Sequence, residues 1–138
     1  MKGSRFSVCV HIMTLLTQFE SEYLTSEFIA ASINMNPAMV RKEVVKLKKS
    51  GLVESKEGKS GGVRLARPSN QINFSDIFLA DHQDGENVLS LYKNDPHEKC
   101  VIGSQIQDRL SDLFAEVDQA ILDKLSGITL ADFHAQFV

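Results

Sequence analysis

The 138-residue chain lacks the features that mark membrane-spanning, secreted or disulfide-bonded proteins. No stretch approaches the ~18 uninterrupted apolar residues that cross a bilayer. The apolar run at residues 8–16 is interrupted by His11 and Thr14, and no small-residue cleavage site of a secretory signal follows it. Only two cysteines are present, Cys9 and Cys100, and two distant cysteines do not form a disulfide framework. These absences predict a cytoplasmic protein with no membrane partner.

Residue patterns of an enzyme are also missing. The chain contains no nucleophile–base pair, no HExxH pattern, no GxxxxGK[ST] loop and no clustered carboxylates. The glycine-rich segment GKSGG, residues 58–62, would lie at a hairpin tip without the helix that a nucleotide-binding loop requires. The sequence therefore predicts that the protein is not an enzyme, and it predicts neither a metal site nor a resident cofactor.

The charges are distributed unevenly along the chain. The net charge of −3 would by itself argue against nucleic-acid binding. Residues 41–67, however, contain nine Lys or Arg and three Glu, a net of +6, whereas residues 68–138 carry a net of −8. A basic patch on an acidic body attracts phosphate at one place only. The pattern favours a DNA contact at 41–67, and a solvated charged helix is the alternative.

The basic segment begins with a helix signal. Asn36 can cap free backbone amides, and Pro37 suits the first helical position, where no donor is needed. Gly51 lies where a left-handed residue would end the helix. The predicted apolar stripe of this helix consists of Val40, Val44 and Leu47.

A hairpin signal follows the helix, and two helix signals precede it. Strand-like residues 52–56 and 63–67 flank the turn-forming residues 58–62. Upstream, residues 5–20 have helical periodicity, and Thr25 can cap a second, shorter helix. This order of elements is typical of a winged helix-turn-helix. The predicted fold is mainly α with a small β-wing.

The helix-turn-helix predicts particular DNA contacts, because its second helix enters the major groove. Arg41 is predicted to read a base, since arginine bonds a guanine edge in bidentate fashion. Met39 is predicted either to contact a thymine methyl group or to fill the core. Phosphate contacts are predicted for lysines of this helix, namely Lys42, Lys46 and Lys49. Ala38 shares the exposed face of Arg41 and Lys42.

The sequence of the second half of the chain indicates a linker, a short helix, a loop and a long helix. Residues 68–73 are the predicted linker, Ser75 the predicted cap of a short helix at 76–80, and residues 81–99 a loop around an apolar core at 88–92. A last helix, after Gly127, is predicted to be capped by Thr129 and docked by three apolar side chains, Leu130, Phe133 and Phe137.

The long helix, predicted at residues 101–125, carries the spacing of a coiled-coil seam. Its seam residues are Ile106, Leu110, Leu113, Val117 and Ile121. So long a helix in so small a chain usually needs a partner, and a second copy in a two-fold dimer is the simplest one. Packing of the seam on residues 8–19 of the same chain is the alternative.

Three stretches resemble a known family: LVES at residues 52–55, GGVRLARP at 61–68 and INFSDI at 72–77. In this order they resemble the Rrf-two family of bacterial winged-helix repressors, over nearly the whole chain. The KCVIG sequence at 99–103 is similar to the cluster-less YwnA-type branch of that family. The resemblance implies a homodimer, joined through the long helix, that binds a palindromic double-stranded DNA operator.

The resemblance also implies which residues touch DNA, at the start of the recognition helix and in the wing. They are Asn36, Ala38, Met39, Arg41, Lys59, Ser60, Gly61, Gly62 and Arg64. Two positions depart from the family pattern. Iron–sulfur relatives have an acidic reader where this chain has Arg41, and several relatives have an arginine where this chain has Glu57. A different operator is therefore expected, and Lys56 or Lys59 could replace the arginine that inserts into the minor groove.

The loop before the long helix is the predicted location of the sensor in such a regulator. Cluster-binding relatives use three cysteines in the loop before the long helix, whereas this loop contains Cys100 alone, and a cluster normally needs four ligands. Iron–sulfur sensing is thus one alternative, and a protein-interaction module without specific DNA binding is another. A predicted helix N-terminus at Cys100 would favour a thiolate open to oxidation, so Cys100 is the candidate redox sensor, with an unreactive capping residue as the alternative. Cys9 is predicted to be a buried thiol.

The sequence accordingly predicts three segments. Residues 1–68 form the DNA-binding domain, 69–100 the linker, short helix and sensor loop, and 101–138 the dimerisation helix and C-terminal helix.

Overall fold

The computed structural model describes residues 2–82 and 88–137, with side chains from residue 4 onward. A short 3-10 turn, Ser69–Gln71, follows the wing. The helices and strands are α1 (Lys2–Gln18), α2 (Ser26–Ile33), α3 (Pro37–Lys49), β1 (Val53–Lys56), β2 (Gly62–Leu65), α4 (Phe74–Asp81), α5 (Ile106–Ser126) and α6 (Leu130–His134). The prediction of a mainly helical chain with a small β-wing is confirmed. Within the described residues, no helix is long and apolar enough to cross a membrane.

Side-chain caps determine where several helices begin. The hydroxyl of Thr25 accepts the Phe28 amide at 3.1 Å, and the amide oxygen of Asn36 accepts the Ala38 amide at 2.8 Å. Thr129 caps α6 in the same way. Gly51 follows α3 with a φ of +76°, as its predicted role requires. Local sequence therefore specifies the helix-turn-helix and the start of α6.

The predicted cap of α4 is wrong. Asn73, not Ser75, precedes the helix, and its side chain accepts the Asp76 amide at 2.9 Å while Asp76 accepts the Asn73 amide at 3.0 Å. Ser75 instead donates its hydroxyl to Asn73. This reciprocal pair satisfies two amides of the first turn and moves the helix start to Phe74.

The wing is an antiparallel hairpin with a third, single-residue edge. Val53 pairs with Leu65, and Lys56 pairs with Gly62 across the turn. Leu24, just before α2, exchanges two 2.8 Å backbone hydrogen bonds with Val63. The wing is thereby fixed to the segment that leads into the helix-turn-helix.

One hydrophobic core joins the N-terminal helices, the wing, α4 and α6. Fully enclosed members include Ile12, Leu16, Val40, Leu47, Ile77 and Leu130. The core continues past residue 68, because α4 and α6 contribute to it. The predicted docking of α6 holds for Leu130 and Phe133, whereas Phe137 touches Phe133 but remains 59% exposed.

The long helix begins later than predicted. Residues 101–105 form turns, and α5 starts at Ile106. The predicted apolar core at 88–92 is wrong, since Val88, Leu89 and Tyr92 are exposed; residues 83–87 of that loop lie outside the described residues. No residue of α5 is buried within the chain, and Leu113 in the middle of the predicted seam is 50% exposed. The seam is therefore not covered by α1.

Candidate nucleic-acid interface

Helix α3 presents two chemically different faces. Val40, Val44 and Leu47 are buried on one side, which anchors the helix to the core. The predicted contact residues at the start of the helix, and two of its lysines, are exposed: Asn36, Ala38, Met39, Arg41, Lys42 and Lys49. Met39 was predicted either to contact a thymine methyl group or to fill the core. Its side chain is 47% exposed, so it does not fill the core.

Arg41 forms an ion pair with the preceding helix. Its guanidinium lies 3.4 Å from Glu27 of α2, and both side chains are largely exposed. Exposed pairs of this kind contribute little to stability and exchange readily with solvent. Arg41 can therefore leave Glu27 for another acceptor at small cost.

Lys46 does not share the environment of the other lysines. Its ammonium lies 3.2 Å from Glu43 and 3.6 Å from Asp81, and its side chain is only 20% exposed. The carboxylates of Glu43 and Asp81 hold the Lys46 ammonium toward α4 and the core, because the ion pairs offset the desolvation cost of the buried carboxylates. We therefore leave Lys46 out of the interface that its sequence position predicted.

Glu43 is a residue whose placement sequence reasoning missed. It is 3% exposed, on the same face as Val40 and Leu47. Its spacing of three from Val40 and four from Leu47 was a usable signal, since these positions share one face of a helix. The charged residue type hid it.

The wing tip depends on unusual backbone conformations. Ser60 has a φ of +67°, and Gly62 has a φ of +145°. A Cβ atom at Gly62 would also collide with the backbone of Leu24, so only glycine fits where the strand crosses that segment. Lys59 and Ser60 are exposed at the tip, and Gly61 is half-buried.

Arg64 is held at the base of the wing by two neighbours. Its Nε donates to Glu54 at 2.6 Å, and its guanidinium carbon lies 4.4 Å from the centre of the Tyr23 ring. The hydrogen bond to Glu54 raises the pKa of Arg64 above its already high ordinary value. Tyr23, which also has the Lys56 ammonium 5.8 Å from its ring centre, was not among the predicted site residues. The contacts of Tyr23 with Lys56 and Arg64 depend on the pairing of β1 with β2, which the local sequence around Tyr23 does not indicate.

The two cysteines differ sharply in environment. Cys9 is 0% exposed, as predicted, and burial together with the charges of Glu43 and Asp81 raises its pKa to about 12. Cys100 is exposed and lies in a turn. Its backbone amide donates a hydrogen bond to the His97 carbonyl oxygen at 3.2 Å. The prediction that Cys100 begins the long helix is wrong, because α5 starts six residues later. The dipole of α5 therefore does not act directly on this thiol.

These residues do not fit an iron–sulfur cluster. Such clusters need about four thiolate or imidazole ligands. Cys9 is enclosed in the core while Cys100 is exposed at the surface, and these are the only cysteines of the chain.

A helix-turn-helix fixed to a glycine-tipped hairpin, with arginine and lysine on the outer face of its second helix, defines a winged-helix DNA-binding protein. The chain belongs to the Rrf2 (Rrf-two) family, because the family model described as iron-dependent transcriptional regulator matches residues 3–136. It is therefore a transcriptional regulator and not an enzyme.

Individual relatives agree with this assignment. YwnA of Bacillus subtilis (strain 168), whose name describes an HTH-type transcriptional regulator, is 33% identical over 132 residues, or 96% of each chain. A solved structure described as a transcriptional regulator from Lactobacillus plantarum is 26% identical, with a TM-score of 0.76 over 98% of this chain and 89% of that one. CymR, the global cysteine regulator of B. subtilis, shares the fold at 20% identity, with a TM-score of 0.70 over 97% and 95% of the two chains.

Proposed function

We propose that this chain is a homodimeric repressor that binds a palindromic DNA operator through α3 and the wing. The observation that carries the proposal is the exposed Arg41 and Lys42 beside a capped helix start, within a segment of net charge +6. A helix of this kind inserts its N-terminal residues into the major groove. The wing residues Lys59, Ser60, Gly61, Gly62 and Arg64 are the proposed second contact, on the adjacent DNA backbone.

Base reading is assigned to Arg41, and phosphate contacts are assigned to Lys42 and Lys49. The exposure of Arg41 supports this division, because its weak ion pair with Glu27 leaves the guanidinium able to turn to a base at small cost. Bidentate arginine–guanine contacts contribute roughly 1–3 kcal/mol of discrimination.

The deciding experiment is selection of binding sites from random duplexes, followed by affinity measurements at several salt concentrations. We expect a palindromic consensus. Arg41→Ala should weaken specific binding by about 1–3 kcal/mol and relax preference at one base pair of each half-site. Lys42→Ala should instead weaken all duplexes alike and reduce the salt slope by about 0.9 for each phosphate that is no longer neutralised. Lys93→Ala, an exposed lysine outside the basic segment, is the matched control.

Failure to bind any duplex at low salt would contradict this proposal. It would favour the alternative of a winged-helix module that docks an acidic protein partner through the same basic surface. An unchanged ratio of specific to random binding in Arg41→Ala would remove Arg41 as the reader while leaving DNA binding intact.

The proposed dimer contact is the seam of α5: Ile106, Leu110, Leu113, Val117 and Ile121. Support comes from the absence of buried residues on this 21-residue helix. Amphipathic helices normally bury their apolar stripe, whereas the described residues of the chain leave four seam residues of α5 half-buried and Leu113 exposed.

Any thiol response is proposed to occur at Cys100, because its side chain is exposed whereas Cys9 is enclosed. Oxidation that abolishes operator binding in the native chain but not in Cys100→Ser would support that response. Equal loss in both proteins would contradict it.

A further inference from the structure

Three buried side chains with metal-binding atoms meet at one point in the core. They are Cys9 of α1, Glu43 of α3 and Asp81 at the end of α4. One ligand atom from each lies within 4.8 Å of the others. The Cys9 thiol donates to Glu43 Oε2 at 3.8 Å. Three helices thus converge on a site that the DNA interface does not use.

The carboxylate of Asp81 is unusual in its lack of hydrogen bonds. Its side chain is 0% exposed, yet neither oxygen has a hydrogen-bond partner among the described residues. The nearest cationic or titratable groups are Arg5 Nε at 3.7 Å, Lys46 Nζ at 3.6 Å and His82 Nδ1 at 3.5 Å. Buried carboxylate oxygens without hydrogen bonds are costly. Both oxygens retain lone pairs for a ligand.

Lys46 supplies the positive charge that a metal ion would supply. Its ammonium lies between Glu43 and Asp81, and its partly exposed side chain gives it a route to solvent. The formal charges of Glu43, Asp81, Lys46 and Arg5 sum to zero. Exchange of the Lys46 ammonium and the Cys9 proton for one divalent ion leaves the formal charge at zero.

We propose that Cys9, Glu43 and Asp81 form a site for a divalent transition-metal ion of the zinc type. Zinc accepts thiolate and carboxylate oxygen at about 2.3 and 2.0–2.2 Å, and three protein ligands leave a fourth position for water. The thiolate selects against magnesium and calcium, which prefer oxygen ligands. The 3.8 Å separation of sulfur and Glu43 oxygen is close to that of two ligands sharing such an ion.

Coordination requires a defined proton balance. The Cys9 thiol loses its proton to solvent as the sulfur–metal bond forms, and Lys46 leaves as a protonated ammonium. The ion would join α1, α3 and α4, and the displaced Lys46 would return to the surface of α3. An increase of DNA affinity on metal binding is a consequence that rests on the proposed function; the site itself does not.

Titration of the full chain with Co²⁺ alone, followed by competition with Zn²⁺, tests the site without DNA. We expect one ion per chain, a thiolate-to-cobalt absorption band and release of one thiol proton. Cys9→Ser should remove the band and weaken binding by more than about 100-fold, since even outer partners of a metal site contribute 10–100-fold. Cys100→Ser, which changes the only other cysteine, should retain both the absorption band and the Co²⁺ affinity of the native chain.

Two further variants keep the test decisive if Cys9→Ser does not fold. Glu43→Gln should weaken Co²⁺ binding at unchanged helix content, whereas Lys46→Met should strengthen it by removing the competing ammonium. If Cys9, Glu43 and Asp81 had only a structural role, the two variants would not change Co²⁺ affinity in opposite directions. The absence of Co²⁺ binding by the native chain, or a band that disappears in Cys100→Ser and persists in Cys9→Ser, would overturn the proposal.

Discussion

At the scale of single residues, two lysines of α3 separated by one helical turn have different tasks. Lys42 is exposed, whereas Lys46 pairs with Glu43 and Asp81. Loss of one partner from a buried ion pair costs 3–5 kcal/mol, and the partial exposure of Lys46 reduces this to roughly 1–3 kcal/mol. Lys46→Ala should therefore lower the free energy of unfolding by that amount in urea. Lys42→Ala should change it by less than about 0.5 kcal/mol. Equal stabilities of the two variants would contradict the assignment.

The Cys9 thiol makes the stability of the fold sensitive to alkaline pH. Below about pH 9.0 the thiol is protonated in both the folded and the unfolded chain. Above that pH the unfolded chain releases the proton, while burial keeps it on the folded chain until its pKa of about 12 is reached. The free energy of unfolding should therefore fall by about 1.4 kcal/mol per pH unit in this window from Cys9 alone.

Urea unfolding of the metal-free protein between pH 8 and 11 measures this dependence. Cys9→Ala should remove the contribution of Cys9 and give a shallower fall than the native chain. Cys100→Ala is the control, because Cys100 is exposed and should leave the slope unchanged. Identical slopes in Cys9→Ala and the native chain would show that the folded thiol ionises as readily as the unfolded one.

At the scale of elements, signals that are local in sequence were sufficient for some boundaries and insufficient for others. Asn36, Pro37 and Gly51 defined α3 because each satisfies a requirement of its own backbone position. The predicted cap of α4, Ser75, is wrong, because Asn73 forms a reciprocal pair of hydrogen bonds with Asp76 and so starts the helix earlier. The predicted start of α5 at residue 101 is wrong because Val101 and Ile102 continue the apolar pattern without continuing the helix.

Residues 101–105 form turns where the apolar pattern predicts helix. A Cβ atom at Gly103 would lie 2.8 Å from the His97 carbonyl oxygen, so the turn packs closely on the preceding loop. The core position of Glu43 and the contact of Arg64 with Tyr23 likewise depend on how elements meet. Periodicity in one segment does not contain that information.

The attachment of the wing to the segment before α2 depends on Gly62, and this dependence can be tested. Gly62→Ala introduces both an unfavourable φ and a collision with the Leu24 backbone, so it should disrupt the bridge between Leu24 and Val63. We expect a loss of roughly 1–3 kcal/mol in unfolding free energy and weaker protection of the Val63 amide in hydrogen exchange. Gly58→Asn is the control, because a Cβ atom there meets nothing within 4 Å and asparagine tolerates its positive φ. Full protection of Val63 in Gly62→Ala would refute this account.

At the scale of the whole molecule, the uneven charge and the incompletely buried helix α5 have a common interpretation. The basic segment 41–67 is followed by a chain of net charge −8. Repulsion between DNA and the acidic half favours a single docking orientation, with the basic surface toward phosphate. A palindromic operator then requires two such surfaces related by a two-fold axis. Helix α5, about 31 Å long at 1.5 Å per residue and without a buried residue, is the element proposed to relate them.

Leu113→Glu tests the two-fold arrangement directly. Leu113 lies mid-seam and is half exposed in the chain, so a glutamate there should leave the fold intact while placing two like charges at the proposed contact. Sedimentation should give a dimer for the native chain and a monomer for the variant. Operator affinity should fall by at least ~100-fold, whereas affinity for an isolated half-site should change little, because the variant breaks only the linkage between two α3 helices. Ala115→Glu adds the same charge on the opposite, exposed face of α5 and should remain dimeric. A dimer in both variants would assign self-association to another surface, and a monomeric native chain with full operator affinity would show that one winged helix is sufficient.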